Sequence, residues 1–223
     1  MRWRGKTRES QLADRLVWQA ASLLLDYPGT EFDRRLDSVD AILARLPSER
    51  ATDLIALSAQ LRGADRYEAA TRYVETFDLR RRNTLYLTYW TAGETRNRGR
   101  EMLRFVEAYR IAGMTPPSGE APDHLAVVLE FGATVDPDAG RRLLGEFAVP
   151  IRTIRSGLAD AQSRYAAVLD AVCATLPAAT DTEAARARRL ADEGPPAEAV
   201  GLEPFTLTVP PRRTGAAERK EVG

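Results

Sequence analysis

Along most of this chain apolar residues recur at intervals of three and four, the spacing that lines side chains up on one face of an α-helix. Leu12, Leu16, Ala20, Leu23 and Leu24 form the first stripe, with Ser10 as its expected N-cap and Tyr27-Pro28-Gly29 as its stop. A second stripe covers 31–46 through Phe32, Leu36, Val39, Leu43 and Leu46. A third runs through Leu54, Leu57 and Leu61 to Gly63, and a fourth covers 65–77 through Tyr67, Ala70, Val74 and Phe77. Glu94-Thr95 starts another, which reaches Ile111 through Met102, Val106 and Tyr109. Asp123 is the expected cap of DHLAVVLEFGATV, and Asp136-Pro137 that of DAGRRLLGEFAV. A long stripe over 150–176 carries Ile151, Ile154, Leu158, Ala161, Tyr165, Val168, Leu169 and Val172. Thr180 and Glu183 then form a capping box before a short last helix.

One segment, LYLTYW at 85–90, alternates in a way that also suits a strand. No second convincing strand exists to pair with it, and a lone strand leaves its backbone groups unsatisfied. It is therefore read as a largely buried helix ending at Gly93. The expectation is an all-α fold, a single compact bundle of about nine helices.

Residues 10–206 are expected to form this helical domain, with a hinge at the proline- and glycine-rich loop 113–122. Residues 1–9 read as a flexible N-terminus and 207–223 as a disordered C-terminal tail, where proline and clustered charge take over. Between them, VGLEPFTL holds enough apolar residues to dock on the body. The basic start MRWRGKTRES has neither the apolar core nor the cleavage site of a secretory signal, and the longest apolar runs are too short to span a bilayer. A cytoplasmic location without direct membrane insertion is expected. The single cysteine, Cys173, lies in an apolar helical pattern and reads as a small buried hydrophobe suited to a reducing compartment.

Chemistry is sparse. The sole histidine, His124, removes most metal and triad arrangements, and no phosphate-cradling glycine motif occurs. The chain reads as neither an enzyme nor a cofactor carrier. The distinctive stretch is TFDLRRRNTLYLTYWTAGETRNRGREMLRF at 76–105, where seven arginines outnumber three acids around an aromatic run. Arginines beside aromatics suit nucleic acid, by phosphate contact and stacking. The 32 basic and 32 acidic side chains of the whole chain cancel, which weighs against a nucleic-acid partner. The same residues also suit a protein-binding surface. A third reading is structural: Arg80–Arg82 complement the helix end at Phe77, and these and Arg96–Arg100 pair with nearby acids.

FDLRRR at 77–82, LYLTYW at 85–90 and GETRNRG at 93–99 together resemble the signature of NarJ-type proteins, the assembly chaperones (or delta subunits) of respiratory nitrate reductase. Trp90 stands where that pattern more usually has tyrosine. APDHLAVVLEF at 121–131 and GLEPF at 201–205 agree with the same family, so the resemblance covers about residues 10–206.

The resemblance implies a TorD-like, all-helical, non-catalytic chaperone. Its partner would be the apo catalytic (alpha) subunit of nitrate reductase, including that subunit's N-terminal peptide. Such a chaperone keeps the client competent for molybdenum cofactor insertion and restrains early membrane docking. Expected client contacts are Arg81, Arg82, Tyr86, Tyr89, Trp90, Asp123 and His124. In this view the aromatics line an apolar cleft, and the arginines at its edge steer acidic residues of the client or fix the cleft walls. Asp123 and His124 either sit at the cleft mouth, where His124 makes binding pH-sensitive, or only cap and brace a helix. The other readings are a chaperone of another molybdoenzyme of the same superfamily and a helical nucleic-acid-binding regulator.

Overall fold

The computed structural model describes residues 7–196. Residues 1–6, the GLEPF element and the tail expected at 207–223 lie outside the described residues. Eleven α-helices follow one another: α1 Arg8–Leu24, α2 Phe32–Leu43, α3 Ser48–Gly63, α4 Arg66–Tyr73, α5 Leu87–Ala92, α6 Arg96–Ile111, α7 Leu125–Thr134, α8 Pro137–Glu146, α9 Ala148–Asp160, α10 Ala166–Thr175 and α11 Asp181–Glu193. A π-turn at Val74–Asp78 and a 3-10 turn at Arg81–Asn83 separate α4 from α5. Among the described residues the fold is all-α, with one isolated antiparallel bridge between Tyr86 and His124.

The core centres on α7, where only Glu130 and Thr134 are exposed and Leu125 to Leu129, Phe131, Gly132 and Ala133 are buried. A helix apolar on every side belongs in the middle of a bundle. α1 packs along α7 and also meets α2 and α10, while α8 crosses α7 and α11 lies on α9. The α7–α8 crossing is a backbone contact: a Cβ placed on Gly140 would collide with the Cα of Gly132. The ring of Trp18 closes over this crossing, its Cε3 3.3 Å from where a Gly132 Cβ would stand. Its indole N–H donates to the Thr175 hydroxyl of α10 at 2.8 Å. The neighbouring carboxylate of Asp14 is fully buried, yet it pairs with Arg50 of α3 at 3.0 Å and Arg141 of α8 at 3.2 Å. A buried charge is tolerable when it is paired in this way.

Several stripes are rotated from expectation, each toward the larger or better-bonded side chain. On α1 the expected Ala20 and Leu24 are buried, but Asp14, Val17, Trp18 and Ala21 are buried with them, while Leu12 is exposed. Thr7, rather than Ser10, caps the helix and accepts the Ser10 N–H. On α4 Ala69 and Tyr73 face inward and Tyr67 is exposed, because Tyr73 gains a hydrogen bond to the Leu25 carbonyl and stacks on Phe77. On α6 Phe105 takes the inward place expected for Val106 and packs on Phe147. The expected helix over 150–176 is two helices, broken at 161–165 with Gln162 at φ 53°, so that α10 folds back on α9.

The close crossing makes a test of sign. Gly140→Ala is expected to lower the unfolding free energy by about 2 kcal/mol, since overpacking forces backbone to move. Gly145→Ala, on the same helix where an added Cβ meets nothing within 4 Å, should raise it by about 0.5 kcal/mol by restricting the unfolded chain. Urea denaturation of both variants checks this.

Candidate functional site

The segment 84–90 and the start of α7 are tied together by backbone before any side chain acts. Leu87 N–H donates to the Asp123 carbonyl at 3.0 Å, and Leu125 N–H donates to the Leu85 carbonyl at 2.8 Å. The strand character read in LYLTYW is thus real at one residue, Tyr86, which bridges to His124 of the Asp-His-Leu stretch. From Leu87 the chain turns helical.

The Asp123 side chain does not cap its own helix. His124 holds the cap position of α7, without a side-chain bond. Asp123 instead reaches α5, where its Oδ2 accepts the Thr88 N–H at 3.2 Å and the Thr88 hydroxyl. A carboxylate at a helix N-terminus satisfies orphan N–H groups and meets the positive end of the dipole. The competing interaction, capping α7, would have served one helix; this one joins two. Arg98 of α6 completes the cluster, with an ion pair to Asp123 at 3.8 Å and its Nε–H donated to the Thr88 hydroxyl at 3.3 Å.

Tyr86 stands above this cluster, half-buried. The Arg98 guanidinium lies 5.3 Å from its ring centroid and the His124 ring meets it edge-on at 5.2 Å. The Tyr86 hydroxyl donates to Glu120 at 3.0 Å. Burial and that bond push the phenol up to about 12. His124 is nine-tenths buried and its Nδ1 has no partner among the described residues. Burial lowers its imidazole below the ordinary value, against the pull of Glu120, Asp123 and Asp78.

Tyr86 and His124 line a cavity of about 650 Å³. Its aromatic wall is Tyr27, Tyr73 and Phe77, and its carboxylates are Asp26, Asp78, Glu120 and Glu130; among the described residues no lysine or arginine lines it, though Arg35 pairs with Asp26 from outside the lining. The π-turn brings Phe77 and Asp78 to this wall, and the loop 113–122 supplies Pro117, Gly119 and Glu120. The cavity is therefore acidic and aromatic, suited to basic and apolar groups together.

The expected client contacts divide. Tyr86 and His124 reach the cavity, and Asp123 lies fully buried beneath them. Tyr89 is buried and lines neither this cavity nor the arginine groove. Arg81, Arg82 and Trp90 line a separate groove of about 440 Å³ with Arg80, Asn83, α9 and α11. The arginine run does not edge the aromatic cavity and does not pair with nearby acids. Arg80 and Arg81 have no ionic partner among the described residues, and Arg82 only donates to the Asp192 carbonyl at 3.5 Å. Sequence reasoning passed over Asp26, Tyr73, Asp78, Arg98, Glu120 and Glu130. Asp78, Arg98 and Glu130 stood inside the quoted motifs; the others carry no local signal.

Comparison with known proteins adds the family context. The sequence model described as nitrate reductase delta subunit matches residues 43–180. The chain is 54% identical over 160 residues to the nitrate reductase-like protein NarX of Mycobacterium tuberculosis, across 72% of this chain but 24% of that protein. It thus spans about a quarter of the length of that relative. It is 30% identical over 162 residues to the probable nitrate reductase molybdenum cofactor assembly chaperone NarJ of Bacillus subtilis, covering 72% of this chain and 88% of the other. It is 31% identical over 175 residues to the nitrate reductase molybdenum cofactor assembly chaperone NarJ of Escherichia coli, covering 77% and 74%.

Two outcomes follow from the cluster. Asp123→Ala leaves the Leu87 bond to the backbone carbonyl but strands the Thr88 N–H, its hydroxyl and the Arg98 charge, and should cost about 3 kcal/mol of stability. His124 is held neutral, so its contribution is complete above the ordinary value of about 6.5 and is lost as pH falls through the lowered folded value. The stability difference between the parent and His124→Gln should therefore shrink below pH 6.5; denaturation across pH 5 to 8 reads it.

Proposed function

The chain belongs to the nitrate reductase delta subunit family, and from that premise we propose that it is a cytoplasmic, non-catalytic chaperone of the nitrate reductase catalytic subunit. In this reading it holds the apo subunit, including its N-terminal peptide, while the molybdenum cofactor is inserted and before the enzyme docks at the membrane. The observation that carries the reading is the acidic, aromatic cavity at Tyr86 and His124, where the motif segments 77–86 and 121–131 meet Asp26, Tyr27, Tyr73 and the loop residue Glu120. A helical peptide with an apolar face and basic residues fits such a wall, through contact area on tyrosine rings and charge at the carboxylates. The steering charge on the chaperone is then negative, and the client segment is basic. The loop 113–122 is the movable wall, since Glu120 ties it to Tyr86 by one hydrogen bond.

Calorimetry with synthetic peptides from the N-termini of the host's molybdoenzymes tests this. The nitrate reductase peptide should bind selectively, and more weakly as salt rises. Glu120→Lys or Tyr86→Ala should weaken it about tenfold, as expected for charge and aromatic contacts at an interface core. Binding should fall as pH drops below 6.5, because a protonated His124 adds positive charge to a site for basic groups. His124→Gln should flatten that dependence. A crosslink that rigidifies the loop 113–122 should reduce affinity; unchanged affinity removes the hinge. Capture of a different molybdoenzyme peptide moves the client within the superfamily, and capture of none overturns the peptide site. Retarded migration of DNA at low salt would favour the nucleic-acid reading instead.

A further inference from the structure

The arginine groove lies apart from the acidic cavity, and the client reading leaves it unused. Its floor is Trp90, Thr153, Gly157 and Ala161, and its rim is Arg80, Arg81 and Arg82, with Ala191 of α11 and the lone acid Asp160. The groove exists because α9 approaches the 3-10 turn closely. A Cβ on Gly157 would stand 2.9 Å from the Arg82 carbonyl oxygen and from Asn83 Oδ1. Among the described residues Arg80 and Arg81 have no ionic partner, and they form a cationic rim beside an indole that is itself almost fully buried.

The chain itself arrives there. Beyond α11 the backbone turns at Gly194, with φ 81°, and the Pro196 carbonyl lies against Gly93, so close that a Cβ on Gly93 would collide with it. Gly93 follows Trp90 by three residues on the same helix end. The next stretch, AEAVGLEPFTLTVPP at 197–211, has two acids, Glu198 and Glu203, and no base. Val200, Leu202, Phe205 and Leu207 are apolar. Seven extended residues reach about 20 Å, so Glu203 can travel from Gly93 past Trp90 to the arginines.

We propose that residues 197–207 of this chain dock in the groove formed by Arg80–Asn83, Trp90, α9 and α11, with Glu203 paired to Arg81 and Phe205 or Leu202 against Trp90. The groove is thus an intramolecular clasp that braces the 3-10 turn. The occupant is this segment rather than a client. It is tethered at the groove's edge, and so acts at a high effective concentration. Its charge complements the arginines, whereas a basic client segment does not.

Hydrogen exchange on the full chain and on a chain ending at Pro196 tests the clasp, with circular dichroism confirming that both are folded. Truncation should speed exchange of the 79–84 amides about tenfold, the signature of lost local protection. A synthetic peptide of residues 197–211 should restore it in trans. In the full chain Arg81→Glu should reproduce the loss, and adding Glu203→Arg should reverse it. Unchanged exchange on truncation, or failure of the reversed pair to rescue, overturns the clasp. So does protection of the truncated chain by the client peptide but not by the 197–211 peptide, which would make the groove a client surface.

Discussion

A buried carboxylate, Asp123, is what makes the middle of this molecule possible. α5 has six residues, far too few to be stable alone, since nucleating a helix costs more than so short a run returns. Its first N–H groups are met from the start of α7: the backbone carbonyl of Asp123 accepts from Leu87 and its side chain from Thr88. The partners lie 35 residues apart in the chain, so the bond holds only when α6 has turned the chain back. Arg98, on that same α6, then balances the charge. One residue thus fixes a short helix, its orientation and the closing of a long loop.

The orientation has consequences in both directions. With Tyr86 extended and bridged to His124, its ring turns to the acidic cavity, and four residues on Trp90 turns to the arginine groove. The aromatic cluster of Tyr73, Phe77 and Tyr165 packs behind the cavity with ring centroids within 6.3 Å of one another. Trp18 and the Gly132–Gly140 crossing hold α7 itself in place. Site and core are therefore continuous, and a cavity wall of this kind is supported by rings already locked by packing.

How much of this was legible before the structure depends on the kind of interaction. Period-based reasoning found the helices because burial of leucines and aromatics is a local pattern, as with Leu36, Val39 and Leu43 or Ile151, Ile154 and Leu158. It rotated α1 because it could not know that Asp14 would be buried between two arginines. It took Asp123 for the cap of its own helix because capping is usually local, and the bond to Thr88 is not. The strand and helix readings of LYLTYW competed because both are true in part, Tyr86 extended and Leu87 onward helical. The site was half legible: motif order selected Tyr86 and His124, while the carboxylates around them come from separated segments that only the fold brings together.

Charge shows the same division between composition and arrangement. A net charge of zero suggests a surface without preference. In the fold the charges are sorted instead: four carboxylates line the cavity, one of them, Asp26, paired with Arg35, and three arginines stand beside a single acid at the groove. Residues of the one segment 77–90 thus serve two surfaces of opposite sign: Phe77, Asp78 and Tyr86 line the cavity, and Arg80–Arg82 and Trp90 line the groove.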